Sequence, residues 1–295
     1  MAVVLDSRDL ALVDQEFSSV SQVWDVLREG AKSITVTDFV GVREVRVNKM
    51  TGFQSRKYNR NKNNERTNIN VTKQTLVIER EDWMGYDLDI LNQSENGAYD
   101  VQTVVETHIR QVSIPERDQH AVVRLYENSE MKVRENITPA NALKSYDDAE
   151  KYMVDSKITG PFVMFVSTEF YRDLKNSEGV SKSFTTNTVQ INGIDRRVGM
   201  IDGNIPILPV SRELLQNFED EGVTINYILV PLTVAAPIEK YNDVEIIPAS
   251  QDANGYRDKI KGLTYYDLIV FENARKAIYI SYRKTATPAA AKANV

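Results

Sequence analysis

Cysteine is absent from the 295 residues, which excludes disulfides, thiolate nucleophiles and cysteine-based metal centres. Histidine is scarce: His108 and His120 are the only two, too far apart for the i, i+4 pairing of a zinc-binding helix. Each is expected to be a helix-surface or packing residue. No apolar run approaches the roughly 18 residues of a membrane-spanning helix, and no membrane partner is expected. The first residues lack the basic start of a signal peptide, so cytosolic synthesis is expected. There is no basic excess either. Lys and Arg total 36 against 42 Asp and Glu, a net charge of −6, so the protein as a whole is not an electrostatic binder of nucleic acid. The phosphate-binding loop GxxxxGK[ST], the dinucleotide fingerprint GxGxxG and the GxSxG elbow are all missing.

What is present is ordinary globular material. Hydrophobic residues make up 42% and charged residues 26%, in a chain long enough for a sizeable core and two lobes. The organising stretch is residues 98–128. Val101, Val104, Val105, Ile109 and Val112 fall at three- and four-residue steps, one face of a helix. Ala121, Val122 and Leu125 resume that face beyond Pro115, where a bend or restart is expected. The run reads either as a single spine of roughly 40 Å at 1.5 Å per residue or as two ordinary core helices joined at Ile114-Pro115.

Upstream, residues 1–41 read as a helical arm with no clear core of its own, its apolar positions including Phe17 and Trp24. Alternation at Ile34/Val36 and Val45/Val47 predicts strands. Residues 51–73 differ sharply: Arg56, Lys57, Arg60, Lys62, Arg66 and Lys73 face a lone Glu65. With a strand at 74–80, residues 42–80 read as a long hairpin with a basic tip. A two-stranded ribbon is marginal alone. The tip could grip phosphates, dock on an acidic patch of another subunit, or be a solvated loop.

Downstream, Thr138-Pro139 predicts a helix start, with Leu143, Tyr146, Met153 and Val154 as its buried side. The continuous run at 162–166 predicts a strand covered on both faces, and Ser167 or Thr168 a cap on the next helix. Asn192-Gly193 predicts a hairpin turn, Ser211 a helix cap, residues 225–230 a buried strand, and residues 236–282 long terminal strands. Asp87/Asp89, Asp147-Asp148 and Glu219-Asp220-Glu221 are acidic clusters, and a DxD pair can hold a metal through oxygen. Solvated edges and helix faces account for them, and Glu79, Glu81 and Asp82 would need a pocket to act as acid and base. No catalytic, cofactor-binding or metal site is expected.

The order of these pieces resembles the major capsid proteins of tailed double-stranded DNA phages, a shell fold shared with encapsulins. GAKSITVTDFVGVREVRV at 30–47 is similar to the strand entering that family's extended loop. RQVSIPERDQHAVVRL at 110–125 is similar to its spine helix, with the Ile114-Pro115-Glu116 step. ITPANALKSYDDAEKYMVD and FVMFVSTEFYRDL, INGIDRRVGMIDGNIPILPVS, and the strands of 244–282 follow the family's order, over roughly residues 10–284.

The resemblance implies an α+β phage capsid fold. Its parts would be an N-terminal arm (1–41), an extended β-hairpin loop (42–80), a peripheral domain with the long spine helix (81–135 with strands at 236–272), an axial α/β domain (136–235 with a last strand at 273–284) and a tail (285–295). It implies a structural protein, not an enzyme, with no cofactor. Pentamers and hexamers would tile an icosahedral or prolate shell around DNA, held non-specifically, in a virion assembled in the host cytoplasm. A scaffolding protein, a portal protein and in some members a decoration protein would be partners. The Met1 start favours a separate scaffolding protein. Contacts between subunits would involve Arg56, Lys57, Arg60, Lys62 and Arg66 at the tip, with Phe17 and Trp24 in the arm. An encapsulin-like cargo shell and a nucleic-acid binder using residues 51–73 are the alternatives.

Overall fold

The computed structural model describes residues 21–28, 44–61, 63–64, 66–95, 101–177, 184–191, 194–201, 205–216, 218, 222–252 and 255–284. The strand expected at 31–38, the acidic run 219–221, the tail from 285, Phe17 and Lys62 lie outside these residues.

Three sheets organise the chain. Strands β1 (Glu44–Thr51) and β2 (Asn70–Val77) pair with each other from Glu44↔Val77 to Thr51↔Asn70 as a two-stranded antiparallel ribbon. Strand β3 (Arg80–Asp89) forms a three-stranded sheet with the later β10 (Ala235–Ile247) and β11 (Arg257–Val270), in the order β10-β11-β3. Between β3 and the spine lies the short helix α2 (Ile90–Glu95).

The spine is a single helical run. Helix α3 (Val101–His108) passes into a π-helical turn (Ile109–Ser113) and on into α4 (Ile114–Asn128). Pro115 has no N–H to offer the carbonyl four residues back. Widening the preceding turn to π geometry accommodates it without ending the helix. Val101, Val104 and Val105 pack on Met84, Leu88 and Ile260 of the three-stranded sheet. Gly262 makes room there, since a Cβ would sit 3.1 Å from Met84 Cβ. Ala121, Val122 and Leu125 enter the main core as expected. Ile109 and Val112 do not: both are exposed, because the π turn shifts the angular register on which the 3.6-residue reading depends.

The second body is a seven-stranded sheet in the order β4-β12-β9-β5-β8-β7-β6. Its strands are β4 (Met131–Arg134), β5 (Phe162–Ser167), β6 (Phe184–Ile191), β7 (Ile194–Ile201), β8 (Ile205–Val210), β9 (Val223–Pro231) and β12 (Tyr279–Lys284). Residues 131–134, expected on the peripheral side, thus belong to this sheet, parallel to β12. The uninterrupted apolar strands are explained by cover on both faces. Val163, Phe165, Ile228, Val230 and Ile280 face the core that holds the spine. Met164, Val166, Tyr227, Leu229 and Tyr279 face helices α5 (Ala142–Asp155) and α6 (Thr168–Lys175).

Several local expectations are corrected. Helix α5 starts at Ala142, not at Pro139. Asn141 Oδ1 accepts from the Thr138 N–H at 2.7 Å and from its hydroxyl at 3.1 Å, so residues 138–141 form a turn ahead of the helix. Its buried face is Ala142, Ser145, Tyr146, Ala149 and Met153. Val154 is 69% exposed, one residue (about 100°) round from Met153. After Ser211 the chain makes only a 3-10 turn (Glu213–Leu215) that drops Leu214 and Leu215 into the core. Ser167 does cap α6, accepting from the Phe170 N–H at 3.1 Å.

Candidate assembly surfaces

The ribbon β1–β2 and its connection form the most exposed described part of the chain. Arg56, Lys57, Arg60 and Arg66 are all exposed, and the described residues between β1 and β2 (52–61, 63–64 and 66–69) carry no helix or strand. The structure adds what composition hid. Phe53 and Tyr58 stand among these cations at 70% and 74% exposure, with Met50, Ile69 and Val71 also more than half exposed. Burying an aromatic of this kind contributes about 1.5–3 kcal/mol, more than an exposed ion pair at about 0–1 kcal/mol. The sequence signal was two aromatics in an otherwise polar loop. Acidic side chains are exposed elsewhere on the body, among them Glu81, Asp87, Asp243 and Glu245 on the three-stranded sheet.

Trp24 corrects the expectation that it meets a neighbouring subunit. It is 4% exposed and packs edge-on against Tyr266, ring centroids 5.4 Å apart. The cause is Asp118, buried on the spine. Its carboxylate accepts from the Ser21 hydroxyl at 2.9 Å and from the backbone N–H groups of Gln22, Val23 and Trp24 at 2.5, 3.1 and 2.8 Å. The N–H groups of Val23 and Trp24 are orphan donors at the start of the short helix α1 (Trp24–Leu27). Burial pushes the Asp118 carboxyl above its usual range, and the four donors pull it back. Residues 21–28 are thus part of the body, holding Val23, Trp24, Val26 and Leu27 in the main core.

The remaining acidic and histidine candidates among the described residues are placed as follows. Asp89 Oδ1 accepts from Leu91 N–H at 2.9 Å at the start of α2, and Asp87 lies 3.6 Å from Arg257. Asp82 accepts from the Tyr266 hydroxyl at 2.6 Å and pairs with Arg80 at 2.8 Å. Asp147 and Asp148 are exposed on α5. His120 Nε2 meets the buried Asp267 at 2.7 Å. Among the described residues no group of three or more His, Asp or Glu could hold a metal, and no helix is long and apolar enough to cross a membrane.

His108 sits where the π turn begins, its Nδ1 2.7 Å from the Tyr86 hydroxyl. Burial holds the imidazole below its ordinary value of 6.5, against an opposing pull from Glu116. With Nδ1 unprotonated, Tyr86 donates. The folded pKa lies below the unfolded one, so the unfolded chain takes up more protons as pH falls through 6.5. The stabilisation is present above that pH and is lost on acidification toward the folded value. We expect a His108→Gln variant to lose less stability between pH 7.5 and 5 than the parent in urea unfolding. Equal slopes would refute the assignment.

No sequence-family model matches the chain, and no curated protein matches it in sequence. Solved structures do match in fold. A capsid chain of the cyanophage P-SCSP1u superposes with a TM-score of 0.66 at 11% identity, over 96% of this chain and 94% of that one. A chain of Mycobacterium phage Che8 gives 0.64 at 15% identity, over 92% and 93%. A capsid chain of Ralstonia phage GP4 gives 0.62 at 10% identity, over 98% and 100%. The mixed α+β chain therefore has the fold of these phage capsid chains.

Proposed function

We propose that this chain is a major capsid protein, a structural subunit that assembles with copies of itself into a closed phage head. The observation that carries the reading is the ribbon. Among the described residues it pairs only with itself, yet it displays aromatic, aliphatic and cationic side chains that a lone subunit leaves in water. Copies would satisfy it: each contact is modest, but every subunit joins several neighbours, and multivalency makes the closed shell stable. In this reading residues 42–80 are the extended loop. The three-stranded sheet with the spine is the peripheral domain, and the seven-stranded sheet with α5 and α6 is the axial domain. Pentamers and hexamers would be the building units, and scaffolding, portal and decoration proteins and packaged DNA the further partners.

Electron microscopy of the expressed full chain, with and without a candidate scaffolding protein, tests the proposal. Closed shells or rings of five and six subunits are expected. A compact monomer by solution scattering at high concentration, under both conditions, would overturn it. Strongly salt-dependent binding of the unassembled chain to single-stranded DNA would instead favour a nucleic-acid role for the tip.

A further inference from the structure

The ribbon joins the three-stranded sheet through two residues, Ile78 and Glu79, between the end of β2 and the start of β3. The single peptide group that links them is held at both ends. Its carbonyl, on Ile78, accepts from the Tyr265 hydroxyl at 3.0 Å. Its N–H, on Glu79, donates to Asp267 Oδ2 at 3.2 Å. Tyr265 and Asp267 are two residues apart on β11 and so project from the same face. Ile78 is itself buried with Ile238, Tyr265 and Ile269.

The clamp is in turn fixed to the spine. Asp267 is 0% exposed. Its Oδ1 lies 2.7 Å from His120 Nε2 and 3.3 Å from Arg124 Nε, and accepts from the Leu268 N–H at 2.7 Å. Arg124 also reaches the Glu79 carboxylate at 3.5 Å. One buried carboxylate therefore ties the root of the ribbon, strand β11 and helix α4 together. A peptide plane free to rotate would let a two-residue link swing. One bonded at both its oxygen and its nitrogen cannot turn without breaking a buried hydrogen bond.

We propose that Tyr265 and Asp267 are positioning residues that fix the angle at which the ribbon leaves the body, and so present its tip in one orientation for assembly. The consequence for assembly rests on the capsid reading above; the clamp itself does not. Because the chain has no cysteine, spin labels can be placed solely at introduced sites, Lys73→Cys on β2 and Asp148→Cys on α5. The unassembled full-length chain should give one narrow distance distribution. In a Tyr265→Phe background its width should at least double and exchange of the Glu79 amide should accelerate at least 10-fold, with far-UV circular dichroism unchanged. Asp267→Asn should do the same more strongly, and if it fails to fold, Tyr265→Phe decides alone. Unchanged width and unchanged exchange in Tyr265→Phe would overturn the proposal. Broadened distances with loss or mis-sizing of shells would support both the clamp and its role in assembly. Broadened distances with shells identical to the parent's would overturn the role in assembly. If the parent forms no shells at all, the capsid reading fails while the distance measurement still judges the clamp.

Discussion

Replacing Arg56, Lys57 and Arg60 together by Glu should abolish shell formation at concentrations where the parent chain assembles. Exposed ion pairs contribute little when merely neutralised, so a triple change to Gln should only weaken assembly. Reversal is different. The rest of the surface is acidic on balance, and bringing like charges together costs several kcal/mol per contact. Even about 2.7 kcal/mol corresponds to a 100-fold rise in the concentration needed, and the loss recurs at every subunit. Light scattering and microscopy across a concentration series check this. Assembly and melting equal to the parent's would remove the tip from the interface. Phe53→Ala with Tyr58→Ala offers a contrast that separates charge from burial: it should impair assembly about equally at low and high salt, whereas the charge-reversed chain should recover partly as salt screens repulsion.

Asp118→Ala should be strongly destabilising. It strips the acceptor from one hydroxyl and three backbone N–H groups at once, at a carboxylate that is itself buried. Each buried donor left unpaired costs about 1–3 kcal/mol. Segment 21–28 would then peel away, so the loss is capped by the cost of undocking it, on the order of 4 kcal/mol. Asp118→Asn keeps one acceptor oxygen but turns an amide N–H toward the donors, and should cost roughly half as much. Urea unfolding reads the loss. Fluorescence reads its cause, since the chain has only two tryptophans and Trp83 is already largely exposed. A red shift in the folded state would come from Trp24. An unfolding free energy within about 0.5 kcal/mol of the parent's would refute the role given to Asp118.

These two predictions mark where the sequence could and could not be read. The basic tip was legible because its evidence is local: charge crowded into one stretch between two alternating strands. The helical character of the spine was legible in the same way, from spacing, although spacing did not decide between one helix and two. The buried strands expected at 162–166 and 225–230 were legible from their apolar runs and extend to 162–167 and 223–231. The fate of Trp24 was not legible. It is decided by Asp118, whose nearest partner in sequence among residues 21–24 is 94 residues away. An aspartate on the spine, with no apolar or motif signal of its own, gave no sign of being a buried acceptor. The exposure of Ile109 and Val112 escaped for a geometric reason. Periodicity assumes a constant 3.6 residues per turn, and the π turn ahead of Pro115 breaks that assumption. The hold of Tyr265 and Asp267 on Ile78-Glu79 was equally hidden, because it depends on tertiary pairing between strands from opposite ends of the chain.

The position of β12 bears on when this polypeptide becomes complete. It lies second from the edge of the seven-stranded sheet, hydrogen-bonded to β4 on one side and β9 on the other, and with the turn before it supplies Ile278, Tyr279 and Ile280 to both cores. A nascent chain translated only as far as β11 has the ribbon and the three-stranded sheet within reach but lacks the strand that joins β4 to β9. The larger sheet cannot be complete until β12 has been made, so a growing chain cannot offer a finished subunit to its neighbours before synthesis has passed that strand.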